Sequence, residues 1–182
     1  MNGLKSYATV LAVLVAGTLA GCSATATRSP VVSDNIRKSL DAAGLKDVSV
    51  SQDRDKGVVT LSGHVETGSD KSQAESIARS VAGNQVVANQ IAILPRGLES
   101  DAKRINSDLD KGIEKNLDAA LVQNRLQKGV KYDVKNGVVT LNGEVASQAD
   151  RARTQSVAST VPNVQQVVNE LQVKNQKATS SN

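Results

Sequence analysis

The chain has 182 residues, 22 Lys plus Arg against 18 Asp plus Glu, and a formal net charge of +4. It contains no Trp, no Phe, one Cys and one His. That composition excludes a core built on large rings, an internal disulfide and a His/Cys metal cluster. The length allows one ordinary domain or two very small ones with light cores of Val, Ile, Leu and Ala.

Taken in chain order, a short polar start carrying Lys5 leads into Tyr7 to Ala20, a stretch without charge. It is shorter than the about 20 apolar residues needed to span a bilayer, and it fits the apolar region of a signal peptide. Leu19, Ala20, Gly21 and Cys22 read LAGC, which resembles the lipobox of bacterial lipoprotein precursors. The resemblance implies cleavage before Cys22 and lipidation of Cys22, and two or more acyl chains give stable anchoring. Ser23, rather than Asp, follows the cysteine, which by analogy implies outer-membrane sorting with the protein facing the periplasm. Residues 1–21 are thus read as signal peptide, and 22–30 as the lipidated cysteine with a flexible tether.

Beyond Pro30 the dominant signal is an internal duplication. Gly57 to Ile93 aligns without gaps on Gly137 to Val173 at an offset of 80, with 14 of 37 positions identical. Each copy opens with a helix, carrying Ile36 and Leu40 before Gly44 in the first and Ile113 and Leu117 in the second. Alternating valines then predict a strand, with Val48 and Val50 in copy one and Val130, Tyr132 and Val134 in copy two. A turn and a second strand follow, Val58 to Val65 and Val138 to Val145. Asn136-Gly137 is a strong hairpin signal. Asp70 and Asp150 are expected as helix N-caps. Behind Asp70, Ala74, Ile77, Ala78 and Val81 lie on one helical face. The last strand alternates Val87, Asn89, Ile91, Ile93, matched by Val167, Asn169, Leu171, Val173. The order predicts an α+β fold of two small αββαβ domains, each with two helices on a three-stranded mixed sheet. The domains are bounded at 31–94 and 102–174, with a linker at 95–101 and a disordered tail at 175–182. In copy two, Ile105, Leu109, Ile113, Leu117 and Leu121 extend the helical pattern towards the linker.

GVVTLSGHV and GVVTLNGEV, with the closing segments NQVVANQIAI and NVQQVVNELQV, resemble the BON family of bacterial osmotically inducible and nodulation proteins. Paired with a lipobox, the arrangement is similar to dual-BON outer-membrane lipoproteins. The resemblance implies phospholipid interaction, a role in envelope integrity or stress tolerance, and no enzymatic activity or cofactor.

The residues themselves offer no catalytic set. His64 has Glu144 as its repeat partner and reads as an exposed strand residue. Asn89 and Asn169 read as structural hydrogen-bonding groups, and Gly63 and Gly143 as sites of a bulge or a close helix approach. Nucleic acid is disfavoured because Tyr132 is the only aromatic residue after Cys22. Charge is more informative. Residues 31–94 hold seven basic and eight acidic side chains, and residues 102–174 hold eleven and eight. The excess in copy two nominates Arg125, Lys128, Lys131, Lys135, Arg151 and Arg153 as a surface for anionic phospholipid head groups. Lys103 and Arg104 open the first helix of that copy. The expected partners are the membrane, through lipidated Cys22, and anionic phospholipids. A structural or chaperone-like module that binds envelope proteins through sheet edges or helix faces is the alternative.

Overall fold

The computed structural model describes residues 28–174, so the signal peptide, Cys22 and the residues from 175 onward lie outside the described part. Copy one runs α1 (Ser33–Ala42), β1 (Val48–Asp53), β2 (Val58–Val65), α2 (Gly68–Ala82), β3 (Val86–Asn89) and β4 (Ala92–Ile93). Copy two runs α3 (Glu99–Gln123), β5 (Val130–Lys135), β6 (Val138–Val145), α4 (Gln148–Ser159), β7 (Gln166–Asn169) and β8 (Gln172–Val173). Both are α+β units with a mixed sheet.

The central strand of each sheet is the second. β1 pairs antiparallel with β2, from Val48 opposite Gly63 to Asp53 opposite Val58. β3 and β4 pair parallel with the other side of β2. Copy two repeats the parallel pairings 80 residues on, with Val138 opposite Gln166 and Val145 opposite Val173. The third strand expected from the alternation is therefore broken in two. Asn89 causes the break: its side-chain carbonyl accepts the Ile91 N–H while its amide donates to Lys71 O and Glu75. Asn169 does the same with Leu171 N–H, Arg151 O and Gln155. The register with β2 is the same on both sides of the break, and Val173 packs on its core as the alternation expects, whereas Ile93 is exposed and Leu94 is buried.

One face of each sheet carries both helices. Ile36 and Leu40 of α1 and Ala74 and Ala78 of α2 close over Val48, Val59 and Leu61. Ile113, Leu117 and Leu121 of α3 close with Ala158 of α4 over Val139 and Leu141. Each fully buried aliphatic side chain contributes roughly 1.5–3 kcal/mol, which is how a core without Trp or Phe suffices.

Asp70 and Asp150 are not the N-caps. Thr67 and Ser147 hold those positions with extended backbone, and their hydroxyls accept the Asp70 and Asp150 amides. Each hydroxyl also donates to the aspartate carboxylate, at 2.7 and 2.8 Å. The aspartates sit at the third helical position, where each carboxylate accepts the cap hydroxyl and faces the positive end of the helix dipole.

Gly63 and Gly143 have φ of 99° and 109°. A Cβ on either would collide with a backbone carbonyl, that of Asp47 or of Gly129. They are close-approach positions against the start of the neighbouring strand, not against a helix.

α3 is 25 residues long and begins inside the segment expected as linker. Ile105 and Leu109 on this extension remain exposed. Asp110 explains what the extension holds: its carboxylate accepts the Asn136 and Gly137 N–H groups at 2.8 and 2.9 Å. The tip of the second hairpin is thereby fixed to α3. The tip of the first is fixed to the incoming chain, through Ser29 N–H to Arg54 O and Arg54 Nε to Ser29 O.

Candidate functional site

A cleft recurs at the same place in both copies, where the first helix ends, the central strand passes its close-approach glycine and the second helix begins. Matching backbone bonds establish the equivalence. Leu45 N–H reaches Leu40 O as Leu126 N–H reaches Leu121 O, and Leu94 N–H reaches Val65 O as Lys174 N–H reaches Val145 O. The clefts measure about 300 Å³ in copy one and 340 Å³ in copy two.

Their charges differ. Copy one presents Lys46 and Arg96 against Asp47, Glu66, Asp70 and Glu99. Copy two presents Arg125, Lys128 and Lys174 against Glu144 and Asp150, over Leu126, Val145 and Ala146. The two carboxylates of copy two are already engaged, Asp150 by the Ser147 hydroxyl and Glu144 by Lys174 at 3.7 Å. Arg125 and Lys128 are exposed and form no ion pair among the described residues.

Arg125 also occupies a costly backbone conformation. It has φ of 57°, at the position where copy one places Gly44 with φ of 81°. Both follow the last turn of a helix in a Schellman-type closure. A left-handed conformation costs a non-glycine residue roughly 1–2 kcal/mol.

The six basic residues expected from the sequence do not form one patch. Arg125 and Lys128 share the cleft. Arg153 lies beside it, reaching Asn124 Oδ1 at 3.4 Å. Lys131 and Lys135 project from β5 on the side away from the core, with Asp133 between them. Four residues of strand separate them by about 13 Å, so Lys135 stands at the far end. Arg151 is turned inward, its guanidinium donating to Leu171 O and Asn169 O at 2.8 Å each. Lys174 belongs to the cleft and was missed. Its equivalence to Leu94 at the repeat offset was the available signal.

Elsewhere the described residues give little purchase for chemistry. No group of three His, Cys, Asp or Glu among them could hold a metal ion. Among the described helices none is long and apolar enough to cross a membrane. His64 is exposed at the edge of the copy-one cleft. Tyr132 packs on the copy-two core, and burial, with Asp118 and Glu114 nearby, raises its pKa. It is no outward stacking platform. Lys71 is half-buried between the copies, and desolvation holds its pKa down against the pull of Glu75 and Asp110.

Two solved structures from Chlamydia trachomatis share similarity with most of this chain. One is the C-terminal domain of CdsD, the structural protein of the Type III secretion system, 16% identical with a TM-score of 0.30. The other is a second structure of CdsD, 19% identical with a TM-score of 0.30. They cover 77% and 78% of this chain, which in turn spans 65% and 61% of theirs. Osmotically-inducible protein Y of Escherichia coli is 31% identical over 137 residues, 74% of this chain and 67% of that protein. The BON domain family matches residues 30–95 and again 109–175. The twofold match coincides with the two αββαβ units and their repeated sheet pairings, and the chain belongs to the BON domain family, with two copies of the domain.

Proposed function

We propose that this is an envelope protein, anchored by lipid on Cys22 in the outer membrane and facing the periplasm. The basic end of copy two rests against anionic phospholipid and so supports membrane integrity under stress. The observation that carries this reading is the cleft of copy two. There Arg125 and Lys128 stand without ion pairs, and Arg125 keeps a strained backbone that its glycine counterpart avoids. Strain retained at an exposed cation fits selection for binding rather than for stability. Lys174, Arg153 and Lys131 add positive charge at the same end. The inducible character stated in the name of the Escherichia coli relative supports the stress role.

Each cation near an anionic leaflet contributes about 1 kcal/mol. Neutralising Arg125 and Lys128 together therefore weakens binding by roughly 30-fold, at 1.4 kcal/mol per tenfold. Co-sedimentation of residues 23–182 with anionic and neutral vesicles, at low and moderate salt, measures this. Anionic-selective, salt-sensitive binding that falls in Arg125→Gln/Lys128→Gln is expected. Binding that ignores lipid charge, or that survives the double substitution, overturns the reading. In cells, Cys22→Ser should move the protein to the soluble fraction.

A further inference from the structure

The sheet faces that carry no helices meet each other. Val58 and Ala88 of copy one pack with Val138 and Val168 of copy two. These are the same two positions, taken from each copy. Polar contacts around them are reciprocal too. Lys56 bonds the Glu170 carboxylate, and Asn136 Nδ2 donates to Gln90 O at 2.8 Å. Positions 56 and 136 are equivalent, as are 90 and 170. The copies thus pack about a local twofold, as two identical subunits would.

The symmetry breaks at the outer edge of β3. β3 is the outer strand of its sheet. Val86 and Gln90 turn their N–H groups towards β2, bonding Gly57 O and Leu61 O. Val87 C=O and Asn89 N–H consequently point off the outer edge of the sheet, towards copy two. One side chain satisfies both. Gln166 Oε1 accepts Asn89 N–H at 3.0 Å, and Gln166 Nε2 donates to Val87 O at 2.7 Å. A carboxamide occupies the place that a peptide group of a neighbouring strand would take. The matching edge of copy two is treated differently: Arg151 donates to Asn169 O and Leu171 O, further along the edge than Val167 O, and has no acceptor to offer the Asn169 N–H. Copy one places Val86 where copy two has Gln166, and Val86 is exposed.

A groove of about 370 Å³ lies beside this edge, between α2 and copy two. Of its charged groups, Glu75 and Arg79 pair with each other at 2.6 Å. Lys71 is left with a 3.4 Å contact to Gln165 Oε1. An arriving strand thus meets one half-buried cation that has Glu75 and Asp110 in its neighbourhood but no carboxylate in direct contact.

We propose that the β3 edge of copy one is a docking site for an extended, acidic polypeptide segment, held shut by Gln166 of copy two. Backbone bonds to Val87 and Asn89 would supply affinity by strand addition, and an acidic side chain would meet Lys71. Free edges invite indiscriminate pairing, so a plug carried on the second copy restricts access to a partner that can displace it.

The test uses the full-length protein and a labelled Thr-Val-Thr-Glu-Thr-Val-Thr peptide, read by fluorescence anisotropy. A control peptide carries Pro at both Val positions and so lacks those N–H donors. Gln166→Ala should bind the first peptide at least about tenfold tighter than the wild type, with no gain for the control. The Asn89 amide should exchange with solvent faster in Gln166→Ala and regain protection with the peptide. Gln166→Glu keeps the acceptor and the size but not the donor, and should show a smaller gain. Equal binding by Gln166→Ala and wild type, equal binding of the proline peptide, or unchanged Asn89 exchange overturns the proposal. Vesicle binding through Arg125 and Lys128 should be untouched by Gln166→Ala, so the two readings fail separately.

Discussion

Replacing Gly63 by Ala tests the argument that the close approach of β2 to the residue before β1 requires a glycine. Its φ of 99° carries a left-handed penalty of roughly 1–2 kcal/mol. Its new methyl would strike the Asp47 carbonyl, a backbone group that cannot rotate away, and forcing such a contact adds roughly 1–3 kcal/mol. Loss of chain entropy in the unfolded state returns about 0.4–1 kcal/mol. The net expectation is a loss of about 3 kcal/mol. Gly44→Ala is the control in the same domain. It has φ of 81° but nothing within 4 Å of the new methyl, so only the first and last contributions apply and the loss is about 1 kcal/mol. For a domain of this size each kcal/mol moves Tm by about 4–8 °C. Thermal unfolding followed by far-UV circular dichroism therefore separates the two by at least about 8 °C. Gly143→Ala should repeat the large effect in copy two, where the emission of Tyr132, the only aromatic side chain after Cys22, reports that core selectively. Equal losses from Gly63→Ala and Gly44→Ala would refute the steric account and leave only backbone preference.

Asp110→Ala strips the second hairpin tip of its acceptor for two backbone N–H groups. A loss of about 1–3 kcal/mol is expected in urea unfolding followed by Tyr132 emission, with Asp110→Asn less harmful. Glu75 makes a pH prediction. Burial raises its pKa, but hydrogen bonds from Asn89 and Arg79, with the charges of Arg79 and Lys71, outweigh burial and hold it below the ordinary carboxylate value. A lowered folded pKa adds stability above the unfolded pKa, and that stability disappears as pH falls through the folded value. Glu75→Gln should therefore be less stable than wild type near neutrality, and the difference should shrink in mild acid. A constant difference across that range would show that the carboxylate charge is not what matters.

Much of the fold was legible because the information is local or repeated. The 80-residue offset transfers sheet register from one copy to the other, and Asn89 and Asn169 recur because each kinks its closing strand. Misplacing the caps at Asp70 and Asp150 was a local confusion: cap and aspartate are both polar, and Thr67 and Ser147 stand only three residues earlier. The candidate site was less legible. Counting basic residues cannot reveal that Arg151 is spent on the carbonyls of Asn169 and Leu171, since that depends on where β7 ends relative to α4. Nor could it separate Lys131 from Lys135 along β5, or join Lys174 to Arg125 from 49 positions away in the sequence. The contact between sheet faces was invisible for a related reason. Val58 and Val138 look like ordinary strand valines until two copies are placed together, and Gln166 differs from Val86 without any sign of what it touches.

The bonds between Ser29, Pro30 and the first hairpin also set a length. Gln52 Nε2 donates to Pro30 O at 2.7 Å, and Ser29 and Arg54 bond reciprocally. The described part of the fold begins at Arg28, six residues after Cys22 in the sequence. Fully extended, six residues reach about 20 Å. With Cys22 acylated, the fold would be leashed to within roughly that distance of the bilayer surface, and its local concentration there would reach the millimolar range typical of short linkers. A head-group affinity too weak to hold the free fragment would then suffice in the cell. The leash would also blunt the salt dependence seen with the fragment, because diluting the electrostatic attraction cannot carry the protein away. Inserting flexible residues between Cys22 and Arg28 would restore that sensitivity by lengthening the reach.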